Sequence, residues 1–313
     1  MRLSLVIPSY GRPLDLKRCL TALRSQALPG LEILCVCRQS DVATQREVEA
    51  AFAADPRVRE VTVLDPGLVA AMNAGLRAAN QESEFVTFTD DDTEAPPDWL
   101  SIVVAHFDSH PECGAVGGQD RLQLDLPGLK NPPVADKVGI YTWSGGFHAT
   151  HHCPIREDFV RCHVLKGVNM TYRHELIRDF VIGQGLGGEG AQVGSEASLA
   201  ARVRSRAREL HFLRDAWVIH HASPRGYQDD RLDMETDFAR QTTRNQAYVV
   251  NRYLPWPVAL ASSLRQILVG SRFVPGLLRL PFLPGKWHLT LRHFPFLISG
   301  IYDGLKDRLF SPP

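Results

Sequence analysis

The sequence lacks the motifs of two large classes of nucleotide-binding protein. No G-x-G-x-x-G follows its first predicted strand, and no G-x-x-x-x-G-K-[ST] occurs anywhere. A dinucleotide-binding Rossmann domain and a P-loop NTPase are therefore disfavoured. The sequence also lacks any uncharged apolar stretch of the roughly 18 residues that a membrane-spanning helix needs, so no such helix is predicted.

Net charge and cysteine pairing are absent as well. The 35 Lys and Arg residues balance 35 Asp and Glu residues, so no overall field attracts nucleic acid, and we expect no nucleic-acid partner. The six cysteines form no C-x-x-C pair and are too few for a disulfide framework in a chain of 313 residues. The first apolar run is too short for a signal peptide, and we expect a cytoplasmic protein.

Strand and helix patterns alternate four times in the first 110 residues. Apolar runs predict strands at 3–7, 32–37, 58–64 and 84–89, and helical spacing predicts helices at 13–26, 41–52, 67–80 and 97–109. Such alternation is typical of an α/β domain with a mostly parallel sheet flanked by helices. Ligands in such sheets bind at the carboxyl ends of the strands.

The pattern is less regular in the rest of the chain. It predicts loops and short strands at 120–160, a helix after Met170, a glycine-rich loop at 183–194, a helix at 196–208 and a strand at 216–220. From Leu254 onward, repeated prolines are expected to divide the chain into short apolar pieces.

Three consecutive carboxylates, Asp90, Asp91 and Asp92, end the fourth predicted strand. Their charges repel one another, and packing alone does not favour that arrangement. A divalent cation would favour it, because Mg²⁺ and Mn²⁺ bind carboxylate and phosphate oxygens together. The alternative is a solvated turn in which Asp92 or Thr93 caps the following helix. The residues alone leave both interpretations open.

Five short segments carry a more specific signal. They are 6–13 (VIPSYGRP), 70–76 (AAMNAGL), 88–92 (FTDDD), 167–173 (GVNMTYR) and 194–202 (GSEASLAAR). In this order they resemble the motifs of family 2 glycosyltransferases, which have the GT-A fold, a Rossmann-type mixed sheet. The resemblance implies an enzyme that uses a divalent metal, Mn²⁺ or Mg²⁺. It would transfer a sugar with inversion from a nucleotide-diphosphate donor to a glycan or lipid-linked acceptor.

The resemblance also implies which residues contact the donor. The loop after the first strand and the end of the second would hold the nucleobase, Asp90 or Asp91 the ribose, and Asp91 or Asp92 the metal. One of the adjacent histidines His220 and His221 would complete the metal site. The predicted nucleotide-binding residues are Pro8, Ser9, Tyr10, Arg12, Arg38, Asp41, Asn73, Asp90 and Asp91, and the predicted metal ligands are Asp91, Asp92 and His221.

Three positions depart from the pattern of the family. The segment 37–41 (CRQSD) stands where an Asp usually reads the base, which leaves the nucleobase open. Met72 stands where an Arg is often found before the Asn. Ser195 and Glu196 stand where the family usually has Glu-Asp.

An inverting transfer needs a base on the face opposite the leaving phosphate. Glu196 aligns with the family's Asp and is the predicted catalytic base, with Glu189 as the alternative. A structural interpretation is also open, in which Ser195 is an N-cap and Glu196 a first-turn acid favoured by the helix dipole. The predicted acceptor or donor-sugar contacts are Trp143, Asn169, Met170 and Arg173.

The segment from residue 251 onward is basic and apolar. It carries eight Lys and Arg residues against two Asp, a net charge of +6. With Trp256 and Trp287 among the cations, it has the composition of an interfacial segment attracted to anionic lipid. The alternative is a subdomain whose apolar side packs on the catalytic domain. Both interpretations are open.

These observations predict two regions and one activity. Residues 1–250 are expected to form a GT-A-like catalytic domain, with a nucleotide-binding half at 1–118 and an acceptor half at 119–250. Residues 251–313 are expected to form a helical extension, which would place the enzyme at the inner face of the plasma membrane. The predicted activity is that of an inverting glycosyltransferase in polysaccharide or cell-envelope glycan synthesis. The alternatives are a degenerate homologue that binds nucleotide or glycan without turnover, and a Mg²⁺-dependent phosphohydrolase with Asp90 as nucleophile.

Overall fold

The computed structural model describes residues 2–123, 132–188, 192–221, 236–271 and 274–310. Contacts divide the chain into two compact units that are interleaved in sequence. The first comprises residues 1–140, 149–182 and 202–224, and the second comprises 141–148, 183–201 and 225–313. The sequence analysis instead places a single boundary at residue 250, and that boundary stays a prediction.

The described residues form a large sheet and a small one. The strands are β1 (Leu3–Ser9), β2 (Leu31–Arg38), β3 (Val58–Val63), β4 (Phe85–Phe88), β5 (Thr93–Glu94), β6 (Cys113–Leu122), β7 (Ile140–Tyr141), β8 (Phe147–His148), β9 (Phe159–Cys162), β10 (Met170–Arg173) and β11 (Glu209–His220). β7 and β8 pair with each other, and the other strands form one nine-stranded sheet.

The nine-stranded sheet is mixed. Its order is β3-β2-β1-β4-β10-β6-β11-β5, with β9 pairing on β11. β3, β2, β1 and β4 are mutually parallel, and so are β6 and β11, whereas β10, β5 and β9 are antiparallel to their neighbours. The carboxyl ends of β1, β2, β4, β6 and β11 therefore lie at one edge of the sheet. The predicted α/β fold with a mostly parallel sheet is confirmed.

Helices connect and cover the strands. They are α1 (Pro13–Leu23), α2 (Val42–Ala54), α3 (Leu68–Ala78), α4 (Trp99–Ser109), α5 (His174–Ile177), α6 (Ser195–Ser205), α7 (Asp237–Tyr253), α8 (Trp256–Leu268) and α9 (Trp287–Phe310). Two 3₁₀ turns, Leu277–Phe282 and Pro284–Lys286, stand between α8 and α9.

The two faces of β1 meet different helices. Leu5 belongs to one hydrophobic cluster with Leu16 of α1 and Trp99 of α4. Val6 points to the other face, where α3 lies, because successive side chains of a strand alternate. A β-carbon at Gly75 of α3 would overlap the side chain of Val6, so glycine lets this helix lie directly on the strand.

Two expectations about secondary structure are wrong. The helix expected after Met170 is strand β10, which fills the place between β4 and β6, and only His174–Ile177 is helical. The C-terminal prolines do not divide the whole segment, because α9 runs for 24 residues with Pro295 inside it. Pro295 deprives the carbonyl of Leu291 of its helical hydrogen bond, and Leu291 is exposed, so water can satisfy that carbonyl.

In the second unit, α7, α8 and α9 pack on one another. Arg244 of α7 donates to Asp303 of α9 at 2.7 Å, and the Tyr248 hydroxyl donates to Asp307 at 2.8 Å. A β-carbon at Gly304 would lie 2.6 Å from the Tyr248 carbonyl oxygen, so α9 approaches the backbone of α7 closely. Among the described residues, none of the helices has the length and apolar character needed to cross a membrane.

Candidate active site

The acidic turn Asp90–Asp92 lies at the sheet edge where β4, β6 and β11 end. After β4 the chain folds back, and β5 pairs antiparallel with the end of β11. That register sets His220 opposite Thr93, the residue that follows Asp92. Asp91 and Asp92 are only 5% and 2% exposed, so the solvated-turn interpretation does not describe them.

Asp90, Asp92 and His220 form a group that fits a divalent cation. One ligand atom of each lies within 4.8 Å of the other two. Asp92 Oδ1 is buried and makes no regular hydrogen bond among the described residues, and its ion pair with His220 Nε2 spans 3.3 Å. A buried carboxylate oxygen held only by an ion pair with an imidazole, beside another carboxylate, can serve as a cation ligand. The imidazole favours Mn²⁺ over Mg²⁺.

Neighbouring cations balance the buried carboxylates. Arg12 Nη1 donates to Asp92 Oδ2 at 2.8 Å and to Asp91 Oδ1 at 2.9 Å. Burial alone would raise the pKa of Asp92, but His220 and Arg12 hold it well below its ordinary value. Burial alone would lower the pKa of His220, but its contacts with Asp120 and Asp92 raise it to about 9.

The sequence analysis missed Asp120 and Lys166. Asp120, fully buried near the end of β6, lies 3.1 Å from His220 Nδ1 and forms an ion pair with Lys166. Burial alone would raise the pKa of Asp120, but His220 and Lys166 hold it below its ordinary value. A carboxylate on the far ring nitrogen fixes how a histidine presents the other nitrogen to a metal. The only sequence signal was an acid in a region predicted to be loops.

Asp91 is oriented toward the loop after β1. Ser9 Oγ donates to Asp91 Oδ2 at 2.7 Å, and Arg12 donates to its other oxygen. Burial raises the pKa of Asp91 to about 6, opposed by these two contacts. Asp91 therefore links the acidic turn to the predicted nucleotide loop, and it is not part of the group that Asp90, Asp92 and His220 form.

Asp41 fixes the loop that follows β1. Its carboxylate accepts from the backbone N–H of Gly11, whose φ is +68°, and caps α2 through Thr44. Tyr10 is left 59% exposed at the loop, and the Arg38 guanidinium lies 5.6 Å from the centre of its ring. The predicted base-binding residues Pro8 to Tyr10, Arg38 and Asp41 thus lie together at the ends of β1 and β2.

Asn73 of α3 has a different set of contacts. Its side-chain amide donates to the carbonyls of Val69 and Ile182, both at 3.0 Å, and accepts from the Ile182 N–H at 2.9 Å. The amide therefore holds the segment that follows α5 to α3. Its predicted role in nucleotide binding stays a prediction.

His220 and His221, adjacent at the end of β11, have different neighbours. His221 Nε2 lies 2.9 Å from Glu94 Oε1, and the His221 N–H donates to the Asp92 carbonyl at 2.9 Å. His220, in contrast, faces Asp92 and Asp120. The geometry therefore favours His220 over the predicted His221 as the imidazole ligand.

The residues of segment 167–173 are used in packing. Asn169 is 1% exposed, donates to the Ala216 carbonyl at 2.7 Å and accepts from Trp99 Nε1 at 3.2 Å. Met170 is fully buried in β10. Arg173 donates to the carbonyls of Phe107 and Cys113. These contacts stabilise the sheet, and none of them supports the predicted contact with donor sugar or acceptor.

Glu196 and Trp143 belong to the second unit. Glu196 is half-buried in the first turn of α6 and accepts from Ser195 Oγ at 3.2 Å. Trp143, between β7 and β8, is 80% exposed. The alternative base, Glu189, lies outside the described residues.

A mixed α/β sheet with an acidic turn at its carboxyl edge, together with a helical C-terminal region, is the architecture of the GT-A fold. The family described as glycosyl transferase family 2 matches residues 4–174, more than half of the chain. The chain belongs to this family.

Known relatives agree with this assignment. Over 96 residues the chain is 31% identical to EpsH of Bacillus subtilis (strain 168), which is named as a glycosyltransferase; the match spans 31% of this chain and 27% of EpsH.

Solved structures share the fold. S. aureus TarS 1–349 in complex with UDP-GlcNAc has a TM-score of 0.62 at 16% identity, over 97% of this chain and 80% of that one. The mannosyltransferase PcManGT of Pyrobaculum calidifontis, in complex with GDP-Man and Mn²⁺, has a TM-score of 0.55 at 18% identity, over 100% and 88%. GalNAc-T7 with UDP, GalNAc and Mn²⁺ has a TM-score of 0.64 at 14% identity, over 100% and 58%. At these identities the likeness concerns the fold alone.

Proposed function

We propose that this chain transfers a sugar with inversion from a nucleoside diphosphate donor to a hydroxyl of a glycan or lipid-linked acceptor. The products would serve polysaccharide or cell-envelope glycan synthesis. The observation that carries the proposal is the group formed by Asp90, Asp92 and His220 at the carboxyl edge of the sheet. The folds that resemble this one were solved with UDP-GlcNAc and with GDP-Man and Mn²⁺, which supports the donor class.

The residues at this edge would have different roles in binding the donor. Asp90, Asp92 and His220 would hold Mn²⁺, which when bound would neutralise the diphosphate and make it a better leaving group. Arg12 keeps the carboxylates of Asp91 and Asp92 in place through its two hydrogen bonds. The exposed ring of Tyr10 offers a surface on which a nucleobase can stack.

Glu196 is the proposed catalytic base. As the acceptor oxygen bonds to the anomeric carbon, its proton passes to the Glu196 carboxylate, and the bond from that carbon to the diphosphate breaks on the opposite face. The partial exposure of Glu196 leaves its carboxylate open to an acceptor hydroxyl. The exposed Trp143 ring would stack on a sugar of the acceptor.

Thermal denaturation of the full chain with UDP or GDP, each with and without Mn²⁺, tests the donor site. A ligand at 100 times its Kd stabilises the folded state by about 2.7 kcal/mol, so binding raises Tm. We expect a clear rise only when a nucleoside diphosphate and Mn²⁺ are both present.

The variant Asp92→Asn should abolish the Mn²⁺-dependent part of this rise, because the site loses an anionic oxygen ligand. The matched control Asp136→Asn changes an exposed aspartate outside the acidic group and should behave like the parent. An unchanged Mn²⁺ effect in Asp92→Asn would remove the metal assignment. Mn²⁺-dependent nucleotide binding without turnover of any nucleotide sugar would point instead to the degenerate, binding-only homologue.

A second proposal concerns location: the C-terminal helices hold the enzyme on anionic lipid at the inner face of the plasma membrane. Helix α8 buries Ala259, Ser262 and Ser263 and exposes apolar side chains on another face. The exposed residues are Trp256, Leu260, Leu264 and Leu268, at 53%, 62%, 50% and 38%. In water, this arrangement places apolar side chains at the surface and serines inside, the reverse of the usual order. At a lipid surface the apolar face is buried. The net charge of +6 from residue 251 onward would add attraction to anionic lipid.

A further inference from the structure

Three histidines meet at the opposite edge of the nine-stranded sheet. His106 and His110 stand four residues apart at the end of α4, and His211 is the third residue of β11. One ring nitrogen of each lies within 4.8 Å of the others, and His106 Nε2 lies 2.8 Å from His211 Nδ1. The sequence analysis did not single out any of these residues.

Carboxylates stand behind two of the three imidazoles. Glu112 accepts from His110 Nδ1 at 3.1 Å, and Glu209 accepts from His211 Nε2 at 3.0 Å. The ring nitrogens that face no carboxylate in these contacts are Nε2 of His110, Nδ1 of His211 and both nitrogens of His106. Histidine ligands of zinc commonly donate their other ring N–H to a carboxylate in this way, which fixes the tautomer and the ring orientation.

The Phe159 ring packs against all three imidazoles. His211 is fully buried, and the Phe159 ring stacks on it at 4.5 Å between centroids. His106 Nε2 and His211 Nδ1 share a hydrogen bond, and bound zinc would take the place of its hydrogen. Three imidazoles suit Zn²⁺, which can take a water as its fourth ligand, and they are poor ligands for Mg²⁺.

We infer that His106, His110 and His211 form a second metal site, which takes Zn²⁺ and fastens the end of α4 to the start of β11. His211 and His220 are nine residues apart on β11, roughly 30 Å at 3.3 Å per residue. The zinc site is therefore separate from the acidic edge. No step of sugar transfer depends on it.

The test uses the full chain carrying Asp92→Asn, so that the acidic edge does not compete for metal. After treatment with a chelator, the protein is titrated with Zn²⁺ alone by calorimetry. We expect one equivalent to bind. Adding His110→Gln should raise the Kd by about 10-fold or more, while the matched control His148→Gln, an exposed histidine of β8, should leave it within about 2-fold.

Co²⁺ provides a second readout that needs no substitution of the three histidines. Bound by three imidazoles and water, Co²⁺ gives the strong visible absorption of a four-coordinate ion, and Zn²⁺ should abolish that absorption. Failure of the Asp92→Asn chain to bind Zn²⁺, or equal Kd values in the His110→Gln and His148→Gln chains, would overturn the inference. Weak Co²⁺ absorption, typical of a six-coordinate ion, in the chain that keeps all three histidines would also overturn it.

Discussion

The exposed apolar face of α8 leads to a quantitative prediction for the double substitution Leu260→Asp and Leu264→Asp. Burying a whole leucine side chain contributes about 1.5 to 3 kcal/mol, so two that are 62% and 50% exposed can contribute about 2 kcal/mol by entering lipid. Each new carboxylate adds repulsion from anionic lipid of about 1 kcal/mol. The sum of about 4 kcal/mol predicts a loss of about 500- to 1000-fold in membrane partitioning.

Flotation of the full chain with anionic vesicles, at low and high salt, measures this loss. The parent should float with anionic vesicles and less at high salt, because salt screens the basic residues. Leu14→Asp is the matched control, since Leu14 is 76% exposed on α1 in the first unit. It should float like the parent.

The same variant distinguishes the two interpretations of the C-terminal segment. If this face of α8 binds lipid, it is exposed to water in the free protein. Both aspartates should then leave the thermal stability nearly unchanged. If the segment instead packs its apolar side on the catalytic domain, both changes should lower the Tm markedly. A parent chain that never floats with anionic vesicles, or a double variant that floats as well as the parent, would refute the membrane proposal.

Two further predictions concern the catalytic base and acid stability. Glu196→Gln should leave donor-induced thermal shifts intact and lower the transfer rate by about 10² to 10⁴, and a parental rate would move the base elsewhere. Buried His151 lies 2.9 Å from the Val164 carbonyl through Nε2, and burial lowers its pKa from 6.5 to about 4. Because the unfolded chain binds this proton more readily, the His151 contribution is complete above pH 6.5 and falls by about 3 kcal/mol as the pH drops to 4. Urea titrations should show a shallower acid loss in His151→Gln, and equal slopes would contradict the burial argument.

The first half of the fold could be predicted because its signals are local. β1 and β2 are mostly apolar runs, and Pro13 opens α1. β10 could not be predicted, because its four residues form a strand only where β4 and β6 leave a place between them. The same limit applies to α9, whose Pro295 is tolerated because the carbonyl it leaves unpaired belongs to an exposed residue.

The site shows the same limit on a finer scale. The position of the three aspartates after a buried strand was visible in the sequence, which suggested a cation site and left a solvated turn open. The choice between His220 and His221 was not, because neighbours on a strand point to opposite faces and only the register of β11 with β5 selects one. The type of a residue also does not reveal whether its polar atoms already have partners, as they do in Asn169 and Arg173.

The charges at the acidic edge explain why metal and donor should bind together. Arg12, Lys166 and protonated His220 offset Asp91, Asp92 and Asp120. A cation alone must displace the His220 proton and compete with the other positive groups, and a diphosphate alone meets buried carboxylates. The two together bring opposite charges, so their joint binding disturbs the balance less than either does singly. A Tm rise with both ligands should therefore exceed the sum of the separate rises.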